Sequence, residues 1–514
     1  MSINIDKKNL EDLSGRYKAL PDILKPKDYY KSIHPLDKEI QELLNDIGKG
    51  IGENDDEFKI FSFQSDIRKL WLKLLEKSII CLRYFDIREP FKNSTGKKKP
   101  IAYGIKELSD FFENYTDFES TLYGSVKFYR DHVMHVFRVW LLGINLLLRE
   151  NGKYLNAINI ANGYEFSNYE KISMWTIIAL THDLGYPLEK SYQIIDKTNN
   201  MMKSFVANPS ISMDVSFSGV QNSMNDFVLR FISSKMREID FESRKIIDET
   251  KEDKKKKKKD EDKLRYVARL QPKYYFKFQK SLEHNQHGVL SALIIYKLLL
   301  YFLESDYSLN EDYTFGYEDS RQYYIRREIL RPIASHTCKD IYQNDAFCFS
   351  FLLIVCDDAQ EWGRKNISQL YVNDKTGYEF GDVKMIFSGN SIEVSIGDEY
   401  QIVDKEMLAV LLKNYRKQCM RYRNLFRDGQ DTSNRNFNFK RHLCIKSSIE
   451  DGMTKYNFSL EITKDSQTKI AIKKEPEGAF KEKDIVVAKV KEVFNDNEGY
   501  HVECKPKCIE VTVG

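Results

Sequence analysis

Imidazole and carboxylate side chains recur together along one stretch of this chain. Six of its nine histidines fall between positions 132 and 336. They sit in Asp131-His132-Val133-Met134-His135, Thr181-His182-Asp183-Leu184-Gly185, Glu283-His284-Asn285-Gln286-His287 and Ser335-His336-Thr337, and an Asp357-Asp358 pair follows. Ring nitrogens and carboxylate oxygens gathered in this way suit a divalent transition metal: manganese, iron, zinc or nickel, with magnesium as an alternative.

Each group belongs to an apolar, helix-like segment that would position it. In DHVMHVFRVWLLGINLLL, His135, Val139, Leu142 and Leu146 recur at helical spacing, which puts His135 on or beside a buried stripe. His132 lies one turn earlier, and either histidine could be the ligand. The run MWTIIALTHDLGYP stops on His182 and Asp183 and then meets Gly185 and Pro187. Two polar groups at the edge of a core are costly to bury without partners, and a metal would satisfy both. His287 opens HGVLSALIIYKLLL, whose small residues Gly288, Ser291 and Ala292 permit close helix packing. His336 follows the apolar turn RPIAS. Asp357 ends the run FSFLLIVC, with Gln360, Glu361 and Arg364 at later helical positions.

A chain of 514 residues can bury a large core and divides into two or three domains. Residues 1–120 read as a helical N-terminal region, with FQSDIRKLWLKLLEKSIICLRYF its strongest apolar-periodic stretch. Residues 121–375 alternate histidine-bearing helices with loops. A charged insertion near 196–270, with six lysines at 254–259, interrupts them and reads as a solvated loop. Over 376–514, SIEVSIGDEYQIV, MTKYNFSLEITK, TKIAIKK and CIEVTV alternate like strands around one basic helix from Asp404 to Phe426, with Asp404 as N-cap. The expected fold class is therefore mainly α, with a C-terminal α+β appendage whose position suggests a regulatory or oligomerising role.

Composition sets further bounds. The net charge of +3, from 80 basic and 77 acidic residues, names no polyanionic partner, and stable nucleic-acid binding is not indicated. The eight cysteines are scattered, and Cys81, Cys348 and Cys356 lie in apolar runs, as suits reduced thiols in a cytoplasmic protein. The N-terminal residues lack the apolar region of a secretory signal. No run reaches the roughly 18 apolar residues of a membrane span. Walker-type and dinucleotide-binding glycine fingerprints are absent.

The ordered set resembles the HD-domain metal-dependent phosphohydrolases over about residues 121–375. Their pattern is a first histidine, a His-Asp doublet, further histidines and a distant aspartate on a helical core. His135 fits the first position because Val139 follows it, and His182 and Asp183 fit the doublet. His287, with Ser291 four residues on, fits the middle histidine better than His284 does; His336 and Asp357 fit the last two places. The resemblance implies a metal site of His135, His182, Asp183, His287, His336 and Asp357 holding one or two ions, with Asp183 bridging. Such a centre activates water and polarises a phosphoryl oxygen. With a single ion, His287 or His284 is left to act as general acid. Arg130, Arg138 and Arg364 are candidates for gripping phosphate oxygens, with Tyr186 and Lys190 at the same mouth.

The build, with helical additions, an insertion and an appendage, is similar to the deoxynucleoside triphosphohydrolase branch. That branch implies a nucleotide substrate, a possible regulatory nucleotide and a homo-oligomer. The chain departs from it after the doublet, where Gly185-Tyr186-Pro187-Leu188-Glu189 replaces the histidine-rich continuation and its acid. A phosphodiesterase for cyclic or short oligonucleotides and a non-catalytic nucleotide sensor are the alternative expectations.

Overall fold

The computed structural model describes residues 5–24, 34–51, 64–87, 105–125, 131–161, 163–203, 220–240, 264–302, 314–338, 346–362, 378–388, 391–402, 405–425, 437–447, 449, 454–463, 468–475, 477–481, 483–494 and 499–513. They form two compact units, the first of residues 1–338 and 347–353, the second of 339–346 and 354–514. The fold is mainly α, with the β-sheet structure concentrated at the C-terminal end. The lysine run at 254–259, Asp404, Arg130 and Arg364 lie outside the described residues.

In the first unit the helices are α1 (Ile5–Arg16), α2 (Leu20–Leu24), α3 (Lys38–Gly50), α4 (Gln64–Ile87), α5 (Ile105–Ser125), α6 (Val133–Ala157), α7 (Asn168–Thr181), α8 (Tyr186–Met202), α9 (Val220–Ser233), α10 (Pro272–Glu283), α11 (His287–Phe302) and α12 (Tyr317–Ser335). Strands β1 (Ser234–Asp240) and β2 (Leu264–Leu270) form an antiparallel hairpin between α9 and α10. Helix α13 (Phe349–Ala359) begins in this unit, and its residues from Ile354 on belong to the second.

Helix α7 is the centre of this unit because its sequence leaves no other place for it. It is apolar on nearly every side, and such a helix is stable only when surrounded. Every residue from Tyr169 to Thr181 is buried, with α4, α6 and α12 packed around it. A capping box starts it. Ser167 Oγ accepts from the Glu170 N–H, and Glu170 Oε2 accepts from the Ser167 N–H. Three indoles fix its neighbours: Trp71 donates to Leu180 O at 2.8 Å, Trp140 to Thr176 Oγ1 at 3.1 Å and Trp175 to Trp140 O at 3.2 Å.

The described helices before residue 120 belong to this same compact unit. Helix α4 packs on α7, and α1 packs on α6, where Asp6 binds Arg138 and the Asn9 carbonyl accepts from Asn145. Helix α6 contains a break at Glu150, Asn151 and Gly152, all at positive φ.

The second unit holds a seven-stranded sheet, order β3-β4-β5-β6-β7-β9-β8. Its strands are β3 (Tyr378–Ser388), β4 (Ser391–Ile402), β5 (Phe437–Ser447), β6 (Thr454–Thr463), β7 (Thr468–Glu475), β8 (Tyr500–Lys505) and β9 (Cys508–Val513), with helices α14 (Lys405–Leu425) and α15 (Ile485–Phe494). All neighbouring pairs are antiparallel except β4 and β5. Parallel neighbours need a long crossover, and α14 supplies it. Leu408, Leu412, Tyr415, Cys419, Tyr422 and Leu425 form its buried stripe. Tyr422 stacks on Phe439 of β5 at 4.1 Å, and Tyr415 meets Phe458 of β6 edge-on at 5.8 Å.

Two expectations follow from this packing. A methyl group on Gly143 would lie 2.0 Å from Trp175 Cζ2, because the indole rests on the α6 backbone there. Gly143→Ala should therefore destabilise the chain by about 1–3 kcal/mol, read as a lower denaturant midpoint; an unchanged midpoint would contradict the packing.

His34 is buried, accepts from the Leu36 N–H at its Nδ1 and packs edge-on against Tyr169. Burial, helped by the Lys77 charge, holds its pKa down to about 4. The unfolded chain then takes up a proton first as pH falls. Stability should be full above about pH 6.5 and be lost toward pH 4, by about 3 kcal/mol. His34→Asn should lack this component, so its stability relative to the native chain should rise by that margin over the same window in paired denaturant titrations.

Candidate metal centre

The Asp183 carboxylate lies just past the end of α7, and imidazoles from four elements face it. His135 Nε2, from the first turn of α6, is 3.5 Å from Asp183 Oδ2. His182, His287 and His336 approach Oδ1 with their Nε2 atoms at 3.5, 3.3 and 3.4 Å. His287 opens α11, and His336 follows the last residue of α12. His182, Asp183 and His336 each offer a ligand atom within 4.8 Å of the others.

One local device orients two of these rings. His182 and His336 are the C-cap residues of α7 and α12, and each ring turns back on its own helix. His182 Nδ1 lies 2.8 Å from Ala179 O, and His336 Nδ1 lies 2.6 Å from Ile333 O. A carbonyl only accepts, so Nδ1 carries the hydrogen and the Nε2 lone pair faces Asp183. The same bond covers a carbonyl that the end of a helix leaves without an amide partner. This is how histidine ligands are held in metal sites.

His287 is oriented by a carboxylate instead. Glu189 Oε2 accepts from the His287 backbone N–H at 3.0 Å and lies 2.6 Å from its Nδ1. A single oxygen thus caps the start of α11 and fixes the ring. The Nε2 atoms of His287 and His336 are 3.2 Å apart. Two lone pairs at that distance repel unless a proton or a metal ion lies between them.

Close approach of the elements depends on small residues. A Cβ on Gly185 would meet His287 O at 2.5 Å and Leu290 Cβ at 2.6 Å, and one on Gly288 would meet Ile333 O at 2.7 Å. The Gly185 N–H donates to Ser291 Oγ at 2.8 Å. Gly288 and Ser291, read from the sequence as packing residues, lie at the contacts that bring α11 against the doublet and α12.

The electrostatics favour a cation. Burial opposes ionisation of Asp183, but His182, His287 and His336 together hold its pKa well below the usual carboxylate range. Burial likewise opposes charge on Glu189 and His287. Bonds to Asp183 and to Glu189 carry His287 up to about 9, and the bond to His287 carries Glu189 down to about 2.

Two residues expected at the site, Arg138 and His284, are placed differently. Arg138 is 1% exposed and binds Asp6 through Nε at 3.0 Å and Nη2 at 2.8 Å. It ties α1 to α6 and is not available to a phosphate, which corrects the expectation for it. His284 is exposed at the C-cap of α10, and it is His287 that faces Asp183. Asp357 lies on the last turn of α13 among residues of the second unit, where Arg421 Nη2 is 3.7 Å away. The adjacent Asp358 pairs with Arg421 Nη1 at 2.7 Å.

Tyr186 and Lys190 are at the cluster. The Tyr186 ring stacks on His132 at 3.7 Å, meets His287 edge-on at 5.2 Å and carries the Lys190 ammonium at 4.7 Å. His132 and Glu189 also belong there. His132, which the sequence leaves as an alternative to His135, is buried with its Nε2 3.9 Å from Asp183 Oδ2, and its backbone N–H donates to Glu119 Oε1 at 2.7 Å. Glu189 stands where the acid after the doublet was judged missing; its spacing of four residues past Gly185, one helical turn, was the available signal.

Comparison with protein-family models, with curated proteins and with solved structures gives no match. The donor set fits a divalent cation on its own chemistry: inward Nε2 lone pairs, outward Nδ1 bonds and a buried anionic carboxylate.

Glu189→Gln keeps the size of the side chain and removes the charge that fixes His287. It should weaken divalent-metal affinity about 10- to 100-fold in chelator competition, with the thermal midpoint little changed. Unaltered affinity would show that His287 is held by packing alone.

Proposed function

We propose that this chain is a metal-dependent phosphohydrolase of the HD type that acts on nucleotides, with deoxynucleoside triphosphates as the leading substrate class. The observation that supports this most is the convergence of the His135, His182, His287 and His336 Nε2 atoms on Asp183. These five residues would hold the metal, and Asp357 is kept as a sixth candidate from the sequence pattern. When bound, a divalent ion at such a site supplies water activation and charge neutralisation at a phosphoryl group.

The chain's own groups would do the rest. If a single ion leaves His287 unligated, then with Glu189 on Nδ1 it can hold a proton on Nε2 and deliver it to the leaving oxygen, as a general acid must. Lys190 places an ammonium beside the Tyr186 ring, where a phosphate oxygen or a base can be received. Asp183, 5% exposed, is itself shielded from bulk water. A cytoplasmic setting agrees with the cysteines, none of which is disulfide-bonded among the described residues. No helix among the described residues is long and apolar enough to cross a membrane. The C-terminal unit is assigned a regulatory or oligomer-forming part, with a second nucleotide as the candidate effector.

Metal quantification followed by product identification on a nucleotide panel tests the reading. The native chain should retain at least one transition metal per protomer and release inorganic triphosphate. Asp183→Ala should lower turnover at least about hundredfold. Nucleoside monophosphate products without triphosphate would make it a phosphodiesterase. A metal-free chain that binds nucleotides without cleaving them would make it a sensor.

A further inference from the structure

We infer that Arg331, with Arg327 one turn before it on α12, forms a binding site for a phosphate group. The inference is independent of the metal chemistry proposed above.

Arg331 is 8% exposed, and among the described residues its guanidinium has no hydrogen bond and no ion pair. What it meets is the Tyr274 ring of α10, whose centroid lies 4.7 Å from its Cζ. An aromatic face attracts a cation, but it does not serve the five N–H donors of the fork as oxygen acceptors do. A buried guanidinium left without an anion is strongly unfavourable. Other buried arginines of this chain each have a carboxylate: Arg138 binds Asp6, Arg321 binds Glu170 and Arg441 binds Asp398. Arg331 is the departure from that rule, and it needs an anion that these residues do not supply.

Arg327 adds to the demand. The two arginines are four residues apart on one helix, so they share a face, and like charges at that spacing repel. Glu328 Oε1 accepts from Arg327 Nη1 at 2.5 Å, but Arg327 Nε is buried with no acceptor among the described residues. Glu328 thus balances Arg327, and the charge of Arg331 is left over. Burial, with the Arg327 charge added, holds the Arg331 pKa down to about 10, and the more distant Glu328 does not restore it. The unserved donors belong to two guanidinium groups, which points to an oxyanion that can reach both. A phosphate can take the fork of one arginine on two oxygens and an N–H of the other on a third. A carboxylate has two oxygens, matched by one fork, and would leave Arg327 Nε as it is. Inorganic phosphate and a nucleotide both carry the required group.

Isothermal titration calorimetry on the full-length chain tests this, with inorganic phosphate and deoxyadenosine monophosphate as separate ligands. The chelator-treated Asp183→Ala chain is the background, because it offers phosphate no metal and turns nothing over; failure here is thereby separate from failure of the phosphohydrolase reading. That chain should bind phosphate. Adding Arg331→Leu should weaken binding about tenfold or more, and Arg331→Lys, which keeps the charge but not the fork, should weaken it by a smaller factor. Phosphate should raise the thermal midpoint of the Asp183→Ala chain. Arg331→Leu should remove that rise and leave the midpoint without phosphate no lower, since the buried charge is gone. Tighter binding of the nucleotide would support a nucleotide as the source of the group, and equal binding would support free phosphate. Absence of phosphate binding to the Asp183→Ala chain, or binding that Arg331→Leu leaves unaltered, would overturn the site. So would a lower midpoint in Arg331→Leu with its response to phosphate intact, which would make Arg331 a packing residue of Tyr274.

Discussion

A single buried carboxylate governs the first unit. Asp183 follows the C-cap of α7, where helix carbonyls already present partial negative charge. An anion there, 5% exposed, is unfavourable unless positive charge or strong donors surround it. Imidazoles that can take up a proton or bind a cation face it from several directions at once. Helix α6 brings His135, α11 brings His287, α12 ends on His336, and the doublet contributes His182 itself. The same demand makes a divalent cation welcome, because an ion can accept every Nε2 lone pair that the Nδ1 bonds turn inward.

Bringing these elements so close restricts the residues behind them. Gly185, Gly288 and Ser291 leave room for backbone where larger residues would collide. Gly143 lets the Trp175 indole lie on α6, and that indole then bonds to Trp140 O. Trp71 covers the Leu180 carbonyl at the end of α7, two residues before His182. The geometry of the cluster thus rests on α4 and α1 as much as on the histidine-bearing helices. The N-terminal helices belong to the first unit for that reason.

Much of the candidate site could be read from sequence because its residues end apolar runs. His182, Asp183 and His336 each follow a stretch too apolar to finish on a polar group without cause. Glu189 and His132 were harder to see. Glu189 lies beyond the turn at Gly185, on a helix with no buried residue to mark a face, so its aim at His287 depends on tertiary packing. His132 precedes the first residue of α6, and helical periodicity does not apply to it. In the second unit, β4, β6, β7 and β9 alternate plainly, whereas β5 buries Arg441 against Asp398 at 2.6 Å. A charged residue on the inner face hides the alternation, so the strand became visible only through its partners. Arg138 misled for the same physical reason: a buried arginine reads from sequence like a surface one until its aspartate, 132 positions away, is known.

Surface charge follows a related rule. Summed over the chain it is close to neutral, and β1 alone carries two bases, Lys235 and Arg237, followed by two acids, Glu238 and Asp240. Each pair is spaced by two, the period of the strand, so register sorts the bases and the acids onto opposite faces. A slip of one residue would set Glu238 among the basic side chains and cancel the field. What a charge balance cannot show is therefore carried by the pairing of Lys235 with Arg269 and of Ile239 with Arg265. The ribbon also leads, through α10, to His287 at the start of α11, so the hairpin and the histidine cluster lie close together along the chain.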